Sequence, residues 1–549
     1  MDMPTTRVAS LLLVTLLSAC GGSSSPMSNT TPPPTGGNPP PPGTHTDVLT
    51  YKNDNSRTGQ NLTETQLTLA NVNSASFGRL RTLATDGKVD AQPLYAAGVT
   101  VQGASHNVVF VATENDSVYA FDADSGVILW QVSLLGSGEV PSDTHNCSQV
   151  SPMIGITATP VIDRSAGANG TLYVVAMSKT SAAPSDYFQR LHALDLATGA
   201  ELLSGPMIIA GTYPMTGGTV TFDPQQYEER AALLLSQGTL YLSFTSHCDQ
   251  PPYSGWVFAY KAATLTRTAV LNVAPNSGGA GPAIWMAGGG PAADGAGNVY
   301  LLTANGEFET TLNSGGFPSK GDYGNSFLKL TLSGTTLAVA DYFTMFNEVI
   351  ESNADTDLGS GGIMLLPDFK DSGGTLRQLA VGAGKDTHLY VVDRNAMGHF
   401  TSGSNNIWQQ LSGALPGGIW STPAYFNNTV YYGPVSSPLL AFPIANAKFG
   451  ASLPGSTSTS FGYPGTAPAI SANGSSNGIV WALENKSGNP AVLHAYDAGD
   501  LTHELYNSSQ ASGGRDQLGA GNKFITPTIA DGKVFIGTQT GVAEFGLLN

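Results

Sequence analysis

The 549-residue sequence predicts an all-β protein, an eight-bladed β-propeller of four-stranded antiparallel blades closed by strands from both termini. Three observations carry this expectation. One strand pattern recurs about eight times between Asp47 and Asn549. Its clearest copy runs from Val108 to Trp130: an apolar run, a polar turn, an apolar strand ending in Asp122, a turn at Gly126 and a strand ending in Trp130. A further strand precedes these three and is usually announced by proline, as in Gln92-Pro-Leu-Tyr95, Thr159-Pro-Val-Ile162, Gly290-Pro-Ala-Ala293, Thr422-Pro-Ala-Tyr425, Ala467-Pro-Ala-Ile470 and Thr526-Pro-Thr-Ile529. No helical periodicity of useful length interrupts the series. A four-stranded unit cannot bury both of its faces alone, so such units stack radially around a channel.

Taken in order, residues 1–20 have the layout of a secretion signal, with Arg7, an apolar stretch from Leu11 to Leu17, and a small-residue cleavage site. Leu17-Ser-Ala-Cys20 resembles a bacterial lipobox, which implies lipidation of Cys20 in the cell envelope. Gly21 rather than Asp follows it, which by the same resemblance implies an outer-membrane address. The lipid is then the one expected membrane attachment, because the apolar run is too short to span a bilayer comfortably. Residues 21–46, rich in Gly, Ser, Thr and Pro, read as an extended tether, and 47–549 as a single propeller. The third strands are expected at Val118–Asp122, Arg190–Asp195, Gly255–Tyr260, Ser326–Leu330, Thr387–Asp393, Leu439–Pro443, Val492–Asp497 and Val542–Phe545. The chain ends just after the eighth, leaving that blade one strand short. Phe77-Gly-Arg-Leu-Arg-Thr-Leu83 is expected to fill the gap and remove an open sheet edge.

Charged residues make up 11% of the chain and the formal net charge is −17, which disfavours nucleic acid or an anionic membrane surface as a partner. If Cys20 carries lipid, two of the three cysteines remain, Cys147 and Cys248, in loops of neighbouring repeats. An oxidising compartment permits a disulfide between them, and the spacing alone leaves the pairing open. The nine histidines show no zinc-ligand spacing. Gly382-Ala-Gly384 lacks the phosphate-loop pattern that would follow Lys385, and Gly474-Ser-Ser-Asn-Gly478 reads as a hairpin loop rather than a nucleophile elbow.

In a propeller the loops entering the innermost strands converge on the central channel. Here they include Tyr227-Glu-Glu-Arg230, Ile284-Trp-Met286, Asp355-Thr-Asp-Leu358, Gly418-Ile-Trp420 and Gly462-Tyr-Pro-Gly465. Aromatic rings, carboxylates and a guanidinium are thus expected near one axis, a composition that suits a flat anionic small molecule and equally suits plain channel packing.

The stretch from 278 to 394, together with the opening Tyr51-Lys-Asn-Asp-Asn-Ser-Arg-Thr-Gly59, resembles the quinoprotein dehydrogenases. These are eight-bladed propellers that bind pyrroloquinoline quinone (PQQ) with a metal ion, usually calcium. The resemblance implies that Trp285 stacks on the quinone and that Lys385 hydrogen-bonds its oxygens. Asn305 would supply an amide oxygen to calcium, a cation that prefers hard oxygen ligands. Asp357 would act as the general base beside the metal, also ligating it, with Asp355 a neighbouring alternative. Asp249 falls near the family's metal-binding glutamate but is one carbon shorter. Gly359 stands where lanthanide-using members carry a second Asp, which favours calcium. The paired adjacent cysteines found over the quinone in many members are absent, Cys147 standing alone in that loop. No Cys-x-x-Cys-His haem motif occurs, so electrons from an alcohol or sugar substrate would pass to a separate acceptor.

Each of these residues also has a plain structural reading. Trp285 could plug the channel, Asn305-Gly306 is an ordinary turn signal, Asp355 and Asp357 could cap a loop, and Lys385 could be a solvated strand end. On that reading the protein is a non-catalytic scaffold for envelope polypeptides, or a carbohydrate binder using Trp420 and Tyr463.

Overall fold

The computed structural model of the protein describes residues 47–486 and 488–548, so Cys20, the expected signal sequence and the expected tether lie outside the described residues. Eight four-stranded antiparallel sheets form the expected propeller. Blade 1 comprises Leu94–Val101, Ala104–Ala112, Ser117–Asp122 and Ile128–Ser133. The blade is sandwiched between neighbours, so Val108 to Ala112 are all buried although strand residues alternate in direction. Its outermost strand faces solvent and alternates between exposed and half-buried positions. All eight expected third strands are present within three residues of the expected bounds. Phe77–Ala84 pairs antiparallel with Gly541–Leu547, closing the ring between the two ends of the propeller sequence. One α-helix occurs among the described residues, Glu348–Asn353, in a loop between blades 4 and 5.

The repeat residues have separate physical duties. Asp122 ends the third strand and accepts hydrogen bonds from the backbone N–H groups of Asp124 and Ser125, fixing the turn. Asp195 does the same for Ala197 in blade 2. Trp130 on the fourth strand of blade 1 donates from Nε1 to the Leu196 carbonyl of blade 2 at 3.0 Å. Gly199 is demanded at this contact: its φ is +69°, and a Cβ there would lie 2.6 Å from the Trp130 ring. The Asp–Gly–Trp repeat therefore specifies the turn and the blade-to-blade seam together.

The N-terminal segment does more than precede blade 1. Val48 pairs with Tyr95 of blade 1, and Leu49 accepts from Ile162 of blade 2. Further on, Asn55, Ser56, Thr58 and Gly59 accept backbone hydrogen bonds from Ala293, Leu365, Tyr425 and Ile470 of blades 4 to 7. Asn55 Nδ2 reaches the Leu235 carbonyl of blade 3, and Asn61 Nδ2 the Ile529 carbonyl of blade 8. This one segment touches the innermost strand of every blade. Two buried cations hold it there: Arg57 donates to the carbonyls of Tyr51, Leu233 and Pro291, and Lys52 to those of Pro423 and Pro468.

Candidate functional site

The loops entering and crossing the inner strands enclose a cavity of about 220 Å³. Trp285, Asp249, Asp355, Asp357 and Lys385 all line it, joined by Arg230, Gln149, Cys248, Trp420, Tyr463 and Phe524. Of the sequence-expected residues only Asn305 sits behind the wall, bonded to two that form it.

Trp285 lies in the connection from blade 3 to blade 4. The next two residues, Met286 and Ala287, have left-handed backbones with φ of 45° and 46°, a tight bend that leaves the indole against the cavity. Its Nε1 donates to Asp249 Oδ1 at 3.1 Å. Asp249 comes from the loop between the second and third strands of blade 3 and also accepts from Ser246 Oγ at 2.7 Å. The Tyr253 hydroxyl bonds it as well, and burial followed by the Asp249 charge holds that phenol well above its ordinary value.

Asp357 follows the short helix. Its Oδ1 accepts the Asn305 backbone N–H at 2.7 Å, and its Oδ2 lies 2.6 Å from Lys385 Nζ. Burial pushes its carboxyl up to about 6, against the opposing pull of the Lys385 ammonium, and the Asp249 charge pushes it further up. Lys385 also pairs with Asp355 at 2.9 Å. Burial pulls its ammonium down, but the two carboxylates outweigh that and raise it above its ordinary value. Gly384 makes the approach possible, since a Cβ there would lie 2.0 Å from the Asp357 carbonyl oxygen. The Gly-Ala-Gly-Lys run is thus a close-packing device that presents Lys385 to Asp357.

Asn305 follows the second strand of blade 4. Its Nδ2 donates to Asp355 Oδ1 at 3.2 Å, while its Oδ1 is buried with no hydrogen-bond partner. An amide oxygen in that state has lost its water without replacement, which is costly unless another group meets it. Gly359 packs so that a Cβ would lie 2.5 Å from the Thr303 carbonyl carbon, leaving no room for a second carboxylate there.

The opposite wall is aromatic and cationic. The Arg230 guanidinium stands over the Phe524 ring at 4.2 Å, and its Nη1 is buried without a hydrogen-bond partner. Lys523 Nζ donates to Gln149 Oε1 at 3.1 Å and lies 5.6 Å from the Tyr463 ring centre. Burial, then Arg230, push that ammonium below its ordinary value. Tyr463 meets Trp420 edge to face at 5.3 Å. Sequence reasoning missed Lys523, Phe524 and Gln149. The loop before the Thr526-Pro strand belongs to the same inward-facing class as the others, and that was the signal available.

Cys147 and Cys248 form a disulfide, with 5.5 Å between their Cα atoms. It ties the connection between blades 1 and 2 to the Asp249 loop of blade 3.

No protein-family model and no curated protein matches this sequence. Among solved structures, the chain is similar to the quinohemoprotein alcohol dehydrogenase of Comamonas testosteroni, at 15% identity and a TM-score of 0.59, over 91% of this chain and 80% of that one. It is similar to a quinohemoprotein alcohol dehydrogenase of Pseudomonas putida, at 13% identity and a TM-score of 0.59, with the same coverage of 91% and 80%. A europium-containing methanol dehydrogenase matches at 15% identity and a TM-score of 0.56, over 91% of this chain and 98% of that one. At such identities the likeness is one of fold.

Proposed function

We propose that the cavity binds PQQ with a calcium ion and that the protein oxidises an alcohol or sugar hydroxyl, passing electrons to a separate acceptor. On the same reading, Cys20 anchors the protein by lipid to the bacterial envelope, at the outer membrane. The observation that carries the proposal is the buried, unpartnered Asn305 Oδ1 beside the Asp357–Lys385 pair, in a cavity walled by Trp285.

The donor types suit both groups, and among the described residues no three acidic, His or Cys side chains already form a metal cluster. Asp249, Asn305 and Asp357 offer carboxylate and amide oxygens, the ligands calcium prefers. The packing at Gly359 supports calcium over an ion that needs an additional carboxylate at that position. The indole of Trp285 offers a flat face, and Arg230 offers positive charge to an anionic ring system. When bound, the quinone supplies the two-electron acceptor for the hydride of the alcohol carbon. Asp357, whose carboxyl burial pushes up to about 6 in the empty cavity, would take the hydroxyl proton on its carboxylate. Lys385 keeps that carboxylate charged and donates toward the same space. Asp249 orients the Trp285 ring through Nε1.

Titration of PQQ into the full chain, with and without calcium and followed by tryptophan quenching, tests the reading. Saturable, calcium-dependent binding is expected. Trp285→Ala should weaken it by about 30- to 100-fold, the loss of roughly 2–3 kcal/mol of buried aromatic surface. Asn305→Ala should raise the calcium concentration needed for half-maximal binding by about tenfold, the effect of losing roughly one good oxygen ligand. Absence of binding at high micromolar PQQ would sink the dehydrogenase and favour a scaffold that holds envelope polypeptides.

A further inference from the structure

Cys248 and Asp249 are adjacent non-glycine residues with left-handed backbones, φ 50° and 53°. Two such residues in succession make a tight bend, as at Asn427–Asn428 and Asn446–Ala447, and here the bend turns Asp249 into the cavity. The surroundings here form a clamp between two loops far apart in sequence. The disulfide joins Cys147 to Cys248 across 101 residues. Beside it the His145 and His247 rings stack with centres 4.2 Å apart, and Gln250 Nε2 donates to the His145 carbonyl at 2.7 Å. The clamp ends on Asp249, whose Oδ1 receives the Trp285 indole N–H. Cys147 is buried at 2% exposure, whereas Cys248 is exposed and lines the cavity.

We infer that the Cys147–Cys248 disulfide is a positioning device, holding Asp249 against Trp285 so that ligand binding in the cavity is lost on reduction and regained on reoxidation. The effect on binding rests on the quinone reading above; the effect on Trp285 does not. Reduction by a dithiol breaks the Sγ–Sγ bond, leaves two electrons and two protons on the cysteines as thiols, and converts the dithiol to its disulfide. With the tether gone, the bend at residues 248 and 249 is free to shift and the carboxylate leaves the indole. The blades themselves do not depend on this bond, because each is closed by its own ladders and the ring by Phe77–Ala84 against Gly541–Leu547.

The near-UV circular dichroism of Trp285 is measured in the ligand-free full chain, as the difference between wild type and Trp285→Phe. It is followed through reduction by dithiothreitol, verified by thiol titration, and through reoxidation. The Trp285 signal is expected to change on reduction and return on reoxidation while far-UV dichroism stays constant. Asp249→Ala should give the reduced-state signal with the disulfide intact, and Cys147→Ser with Cys248→Ser should give it without reductant. PQQ with calcium should bind at least tenfold more weakly to the reduced protein. An unchanged Trp285 signal and an unchanged affinity after complete reduction would overturn the inference. A Trp285 signal that follows the disulfide, in a protein that binds no PQQ in either state, would support the clamp and remove the quinone reading instead.

Discussion

Asp357→Asn is expected to lower kcat by about 10³-fold, within the 10²–10⁴ range of positioned general bases, when assayed at saturating calcium and PQQ. The asparagine keeps the shape of the carboxylate and can still accept the Asn305 N–H that now reaches Oδ1 at 2.7 Å. Lys385 keeps its second partner, Asp355, at 2.9 Å, so no ammonium is left buried and unpaired. What disappears is the one buried carboxylate in the cavity that can accept a proton near neutrality. Burial pushes Asp357 up to about 6, so the base is ionised above that value and protonated below it. Calcium beside Asp357 would lower that value, so in wild type kcat/KM should fall with pH only below about 6, and Asp357→Asn should show a flat residual rate across the same window. Asp355→Asn is the internal comparison. Its side chain is 70% exposed, so water screens its charge, and a loss of no more than about fivefold is expected. A dye-linked assay of short alcohols and sugars against pH reads all three. Equal losses at positions 355 and 357 would deny Asp357 its role.

How far such a site can be read from residues depends on how local its causes are. The blades were legible because the Asp, Gly and Trp of each repeat act within one turn or on the next blade. Gly199 under Trp130 is a contact between consecutive copies, and the closing strand Phe77–Ala84 followed from counting copies. Trp285, Asp357 and Lys385 were legible because each sits at a fixed place in its own blade, and the propeller brings those places to one axis. The cationic wall was harder. Arg230 comes from blade 3 and Phe524 from the loop entering blade 8, and they meet 4.2 Å apart only after the ring has closed. The disulfide was open for a similar reason, since a 101-residue separation says nothing of a 5.5 Å distance. Least legible was the N-terminal segment. Lys52, Asn53 and Arg57 adopt left-handed backbones, with φ of 56°, 72° and 64°, which no strand or helix period announces. Most of their partners are main-chain carbonyls, which leave no mark in side-chain patterns.

That segment carries the other large effect. Arg57→Ala is expected to destabilise the propeller by about 3–5 kcal/mol, although Arg57 does not line the cavity. The guanidinium is fully buried, at 0% exposure, and serves acceptors in three places at once. Nε donates to the Pro291 carbonyl at 2.9 Å, Nη1 to Thr50 Oγ1 at 2.8 Å and the Tyr51 carbonyl at 2.9 Å, and Nη2 to the Leu233 carbonyl at 3.2 Å. Burial draws its proton affinity down to about 10, which still leaves it charged at neutral pH. Alanine would strand these acceptors without donors or water and would loosen the segment from blades 3 and 4. Lysine should not rescue it, because one ammonium cannot reach acceptors spread around a planar fork. Urea unfolding reads the effect as a shifted midpoint, and a loss below about 1 kcal/mol would mean that water replaces the guanidinium. The consequence extends to the site. The same segment places Tyr51 where its hydroxyl receives the Thr526 Oγ1 hydrogen at 3.4 Å, two residues from Phe524 in the cavity wall. Loosening the staple should therefore weaken ligand binding before the blades unfold, so PQQ affinity in Arg57→Ala should fall at urea concentrations where far-UV dichroism is still native. A binding loss that coincides with global unfolding would place Arg57 in stability alone.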